Sequence, residues 1–154
     1  MNKIVFFLCL FFHFTCQAAE YVSLKYDQVN LRTGPGERFP IDWVYQEKNY
    51  PMEVLDSFES WRQVREVDGT IGWISKNMLS HRRYALIRHE SPLLTKAAPE
   101  AEVRAVLQPG VVAQIEECPK GNYCRLKVKY GEETYKGWFL RSDLWGVDKG
   151  EEID

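Results

Sequence analysis

The chain has 154 residues, with 20 basic and 22 acidic side chains, a formal net charge of -2, 45% hydrophobic and 27% charged residues. That balance excludes a disordered polyelectrolyte, and a mildly acidic chain has no bulk attraction for phosphate backbones, so nucleic acid is not expected as a partner. Aromatic residues make up 14%, with five Trp, eight Tyr and eight Phe, which favours a small β-rich core, a contact surface made of rings, or both. At roughly 100–200 residues per domain, the length admits one domain or two small ones.

Residues 1–18 read as a secretory signal peptide. Lys3 supplies a positive start, Ile4 to Phe12 is an unbroken apolar run, and Ala18-Ala19 offers a small-residue cleavage site. The run is too short to span a membrane, which takes about 20 apolar residues. Cleavage after Ala18 is preferred, because cleavage after Ala19 places bulky Gln17 at the -3 position. An uncleaved anchor is the alternative. Cys16 follows His13-Phe14-Thr15, which does not resemble a lipoprotein signal. Cleavage leaves Cys118 and Cys124 as the remaining cysteines and no later apolar stretch that could act as a transmembrane segment. The expectation is an exported chain, periplasmic or secreted, in an oxidising compartment.

After this segment, short apolar-polar alternations follow one another between turn signals. Tyr21 to Tyr26 alternates, and Val29-Asn30-Leu31-Arg32 runs into Thr33-Gly34-Pro35-Gly36, a strong turn signal. Met52 to Leu55 and Trp61 to Arg65 read as strands, and Asp68-Gly69 marks a hairpin turn before Gly72-Trp73-Ile74. Ser75 to Leu79 suits a single helical turn. No segment carries a long helical period, so the chain is all-β.

The pattern then recurs. Gly72-Trp73-Ile74 followed by Leu79 is matched, 65 residues later, by Gly137-Trp138-Phe139 followed by Leu144. Trp61 to Val64 finds a counterpart in Cys124 to Val128, and Val29 to Arg32 in Pro92 to Thr95. A repeat of about this length predicts two tandem small barrels. The joint falls around Ser80 to His89, with no flexible linker composition, so the two units are expected to touch. Trp61, Trp73 and Trp138 are candidate core residues, and Gly72 and Gly137 mark a tight bend or a close backbone approach. Gly34 and Gly36 can supply positive φ, while Pro35 stiffens the loop between them.

These residues resemble the bacterial SH3-like (SH3b) family. The match rests on Asn30-Leu31-Arg32, Gly34-Pro35-Gly36, Pro40-Ile41, Trp61-Arg62-Gln63-Val64, Asp68-Gly69, Gly72-Trp73-Ile74 and Leu79, and covers residues 22–87. A second match over 88–147 keeps Leu94, Pro109-Gly110, Tyr123, Arg125 and Gly137-Trp138 but lacks the Asn-Leu-Arg and Gly-Pro-Gly elements. The arrangement is similar to two-module exported SH3 domain proteins of α-proteobacteria. The resemblance implies two tandem small SH3-like β-barrels of five strands each. It also implies a non-catalytic role, since such modules bind peptidoglycan or peptides.

The candidate ligand-binding residues are Arg32, Gly34, Pro35, Gly36, Trp43, Tyr45, Trp61 and Trp73. Trp43 and Tyr45 share one face of a strand, and their rings belong either to the core or to a flat platform for sugars or Pro-rich peptide. Arg32 contacts a ligand carboxylate or pairs with a neighbouring acid. Tyr123, Tyr130, Tyr135 and Trp145 are weaker candidates in the second unit. Cys118 and Cys124 flank a short turn and suit a disulfide, two free thiols or a redox pair, though the spacing is not Cys-x-x-Cys. Only His81 and His89 follow the signal segment, which favours neither a catalytic dyad nor a metal site, and no cofactor is expected. Lys76, His81, Arg82, Arg83 and Arg88 form a basic stretch, either a solvated edge or a contact for acidic partners. Residues 148–154 read as a disordered acidic tail. The partner is expected to be peptidoglycan, or an envelope protein on which the barrels act as an adaptor.

Overall fold

The computed structural model describes residues 19–154; the signal-peptide expectation concerns residues 1–18, outside the described residues. Among the described residues fourteen strands form two antiparallel sheets. The first holds β1 (Glu20–Leu24), β2 (Val29–Arg32), β3 (Ile41–Tyr45), β4 (Pro51–Phe58), β5 (Trp61–Arg65), β6 (Ile71–Ser75) and β7 (Leu79–Ser80), in the order β3-β2-β6-β5-β4-β1-β7. The second holds β8 (Tyr84–Ile87), β9 (Ser91–Leu94), β10 (Val103–Leu107), β11 (Val112–Glu117), β12 (Tyr123–Tyr130), β13 (Glu133–Leu140) and β14 (Leu144–Trp145), in the order β10-β9-β13-β12-β11-β8-β14. The two orders are identical strand for strand, so the sequence repeat is a repeat of topology. Each sheet has seven strands rather than five, because an opening strand and a two-residue closing strand join the set. The boundary also shifts: Tyr84–Ile87, expected at the end of the first unit, pairs with β11 and opens the second sheet.

Strand alternation decides which residues build the cores. In the first module Val22, Leu24, Val29, Leu31, Tyr45, Met52, Val64 and Ile74 are buried together. In the second, Ile87, Leu93, Leu126, Phe139 and Leu144 are among the buried set. Each such aliphatic side chain contributes about 1.5–3 kcal/mol on burial. The tryptophans are not among these buried residues, contrary to expectation. Val64, Gly72 and Ile74 point inward, so Trp61 and Trp73, one residue out of phase, point outward and are only half-covered. The β5–β6 turn follows the Asp-Gly signal: Gly69 has φ 94°, and the Asp68 carboxylate accepts a hydrogen bond from the Thr70 N–H at 2.8 Å.

Gly72 and Gly137 serve close approach. A Cβ on Gly72 would lie 2.5 Å from Leu31 Cγ, and one on Gly137 would lie 2.6 Å from the Leu94 carbonyl oxygen. Neither has positive φ. The β2 and β9 strands cross at these points, and nothing larger than hydrogen fits.

The modules touch through side chains from both ends of the chain. Tyr21 meets Trp145 edge-on, with ring centroids 5.6 Å apart. The Arg83 guanidinium stands over Tyr21, ion-pairs with Glu151 and donates to the Gly146 carbonyl at 2.8 Å. The Ala19 N–H donates to Asp148 Oδ2 at 2.7 Å. Residues 148–154 are therefore not a free tail. Arg141, 7% exposed, donates to the carbonyls of Asp148, Glu151 and Pro119, and Ile153 exchanges backbone hydrogen bonds with Cys118.

Cys118 and Cys124 form a disulfide within the second core. The loop it closes is short, so reduction is expected to lower stability by about 2 kcal/mol. Denaturant unfolding with and without reductant checks this; coincident curves would show that the crosslink contributes nothing.

Candidate ligand groove

The outward face of β5, β6 and β2 carries a groove in the first module. Trp61 pairs with Ser75 across β5–β6, and continuing the β6–β2 register from Trp73↔Arg32 sets Asn30 beside Ser75. This row of indole, hydroxyl and amide forms the floor of a cavity of about 380 Å³. Gln28, Arg32 and Glu37, with Asn77 and Met78 of the turn after β6, complete the lining. The lining is mostly neutral and polar around one aromatic face.

The loop between β2 and β3 is fixed from both ends. Arg32 Nη1 donates to the carbonyls of Glu37 at 3.1 Å and Phe39 at 2.8 Å. Nη1 is thus taken up by the loop's own backbone, and among the described residues Arg32 forms no ion pair with a neighbouring acid. Thr33 N–H donates to the Pro40 carbonyl and Phe39 N–H to the Gly36 carbonyl, both at 3.1 Å. Gly34 is required by space: a Cβ there would lie 2.4 Å from the Phe39 ring. The expected positive φ is absent at Gly34 and Gly36; Gly36 makes only ordinary contact with Phe39. Pro35 sits half-covered between them.

The remaining candidates part company. Tyr45 is buried, and its phenol donates to Glu66 Oε2 at 2.7 Å, while Tyr50, stacked on it, donates to Oε1 at 2.9 Å. Burial, and then the hydrogen bond and charge of Glu66, push both phenols well above the ordinary tyrosine range. Tyr45 is a core residue and offers no ring to a ligand. Trp43 is 60% exposed on the edge strand β3, off the groove. Trp73 lies one row away, between Gln63 and Arg32. Of the eight candidates, Arg32 and Trp61 line the groove, and Gly34, Pro35 and Gly36 shape the loop that flanks it. Asn30, Glu37 and Asn77 were not singled out from sequence, although Asn30 lies within the Asn-Leu-Arg element.

In the second module Tyr130 is 80% exposed at the β12–β13 hairpin tip, Tyr135 is half-covered, and Trp145 is spent on the module contact. Among the described residues no group of three or more His, Cys, Asp or Glu gathers where a metal could bind, and no helix is long and apolar enough to cross a membrane.

The model of the bacterial SH3 domain family matches residues 25–81, the span that carries this groove. No curated protein matches the chain. Among solved structures, NlpC2 from Trichomonas vaginalis matches with 14% identity and a TM-score of 0.37, over 85% of this chain and 49% of that one. NlpC1 from the same organism matches with 14% identity and a TM-score of 0.37, over 84% of this chain and 46% of that one. The chain spans about half the length of these structures. The stretch similar to the bacterial SH3 domain family thus lies in the first module, and the strand order of that module is repeated in the second.

Proposed function

We propose that the protein is a non-catalytic, exported binding protein of the bacterial cell envelope that recognises peptidoglycan through the first module. The observation that carries this reading is the Trp61–Ser75–Asn30 floor. An indole face flanked by amides and a hydroxyl suits a ligand built of sugar rings and peptide amides, which offers apolar faces and neutral hydrogen-bonding edges. The Arg32 clamp fixes the adjoining loop in advance, so little order remains to be imposed on binding.

Co-sedimentation of the purified protein with protein-free sacculi across a salt series tests it. Saturable binding that survives moderate salt is expected, with Trp61→Ala weakening it about tenfold or more, the scale of an interface anchor. Trp43→Ala is expected to leave binding unchanged. Loss with Trp43→Ala alone would move the site to the β3 edge, and no binding by the parent protein would reject wall recognition. A second reading, docking on another envelope protein, is favoured by a different feature of the same module.

A further inference from the structure

The repeat allows the two modules to be compared position by position. Val54↔Val64 and Ile115↔Leu126 are equivalent pairs, and a register shift follows each at the same place. Ser57 therefore corresponds to Cys118. Leu24↔Leu79 corresponds to Ile87↔Leu144. The Lys76 N–H donates to the Ser60 carbonyl at 2.7 Å, as the Arg141 N–H does to that of Asn122 at 2.7 Å. Lys76 thus stands where Arg141 stands. The Glu20↔Val54 pair likewise sets Glu20 where the second module has Arg83, whose carbonyl accepts from the Ile115 N–H.

In the second module this region is occupied. The segment after β14 lies along the free edge past the end of β11. The Cys118 N–H donates to the Ile153 carbonyl at 2.7 Å, and the Ile153 N–H to the Cys118 carbonyl at 3.1 Å. Val147 and Ile153 pack on the core, and Arg141 holds the segment's carbonyls. In the first module the equivalent region is an open trough of about 860 Å³. Its floor is Val22, Val54 and Leu79, the last two only partly covered. Among the described residues β1 pairs with β4 only as far as Glu20↔Val54, and the Ser57 N–H donates to the exposed carboxylate of Asp56.

We infer that this trough takes an extended peptide segment of a partner protein, joined by backbone hydrogen bonds at the end of β4, as Ile153 is joined to Cys118 in the second module. Strand addition supplies backbone hydrogen bonds, and the floor supplies a pocket for an aliphatic side chain. Charge fixes the pattern further. Lys25, Arg62 and Lys76 line the trough and make no ion pair among the described residues. Of the acids that line it, Glu53 is neutralised by Arg65, while Asp56 lies at the strand edge and Glu20 at the module junction. Glu20 replaces Arg83, the partner of Glu151, so a second copy's own tail would set Glu151 against Glu20. The fitting segment is aliphatic and acidic, like residues 147–154, with a basic residue in place of Glu151. This gives the adaptor reading a site, and it is independent of wall binding by the Trp61 groove.

The test is an NMR titration of the isotope-labelled protein with the octapeptide of residues 147–154 carrying Glu151→Lys. Saturable amide shifts confined to Leu55 to Phe58, Lys76 and Leu79 are expected. They should weaken at least about tenfold when the peptide also carries Ile153→Asp, or when the exposed Lys76 of the protein is changed by Lys76→Glu. No shift at these amides overturns the proposal. Tighter binding of the unaltered tail peptide overturns the partner assignment and places a second copy's tail in the trough. Sacculus co-sedimentation reads the indole groove separately, so the two ideas fail independently.

Discussion

Gly137→Ala is expected to destabilise the second module by about 2–3 kcal/mol, a large effect for one methyl group. The added Cβ would stand 2.6 Å from the Leu94 carbonyl oxygen and 2.8 Å from Leu93 Cγ. Leu94 is paired with Trp138 in the ladder, so its carbonyl cannot retreat without breaking the β9–β13 junction. Alanine gains about 0.4–1 kcal/mol by restricting the unfolded chain, which only partly offsets the clash. Gly72→Ala meets a softer neighbour, the Leu31 side chain at 2.5 Å, and is expected to cost less. Leu31 is 1% exposed, however, so the cost does not vanish. Denaturant unfolding of the two variants checks both the size and the order. A Gly137→Ala protein within about 0.5 kcal/mol of the parent, the range of an ordinary surface change, would show that the β9–β13 crossing can open.

These glycines were legible in the sequence because a glycine before tryptophan, repeated 65 residues apart, fits a strand position that admits no side chain. The Asp68-Gly69 turn and the repeated succession of strands were legible for the same reason: local chemistry decides them. Other features depend on contacts that sequence spacing does not encode. Trp43 and Tyr45 share a strand face, yet Tyr45 is covered and Trp43 is not. Both lie on the edge strand β3; the difference is that the Tyr45 phenol finds Glu66 and its ring stacks on Tyr50, contacts that Trp43 does not share. The Arg32 bonds to loop carbonyls need the loop's path, which Gly34-Pro35-Gly36 announces but does not trace. The tail misled most. Four acids and one lysine in residues 148–154 read as solvated, because the partners that hold them lie far away in sequence. Arg83 is 68 residues from Glu151, and Cys118 is paired with Ile153 from across the core edge.

That tail sets up the second large effect, a loss of stability in acid and on removal of Arg141. Arg141 is 7% exposed, and its guanidinium satisfies three carbonyls, those of Asp148, Glu151 and Pro119, at 3.0, 2.6 and 2.7 Å. Arg141→Ala removes the shared donor of those oxygens and frees the segment through which Val147 and Ile153 pack on the core; the expected cost is about 3 kcal/mol. Glu151 adds the pH dependence. Burial alone pushes its carboxyl up, but the hydrogen bonds from Arg83 and the Asp148 N–H, with the positive charges of Arg83 and Arg141, outweigh it and hold the group below its ordinary 4.5. A carboxyl depressed in the folded state contributes stability that is complete above the unfolded value. That contribution is lost as pH falls through the folded value. The contribution of Glu151 is therefore expected to be level from neutral pH down to about 5, where an ordinary carboxyl begins to titrate, and to fall below that. Glu151→Gln should lower stability at pH 7 and flatten the acid slope, because the group that titrates is gone. Unfolding free energies measured from pH 3 to 7 on the parent, Glu151→Gln and Arg141→Ala decide the matter. An unchanged acid slope in Glu151→Gln would remove the Arg83–Glu151 pair as its source. An Arg141→Ala protein as stable as the parent would mean that the tail holds to β11 through Ile153 alone.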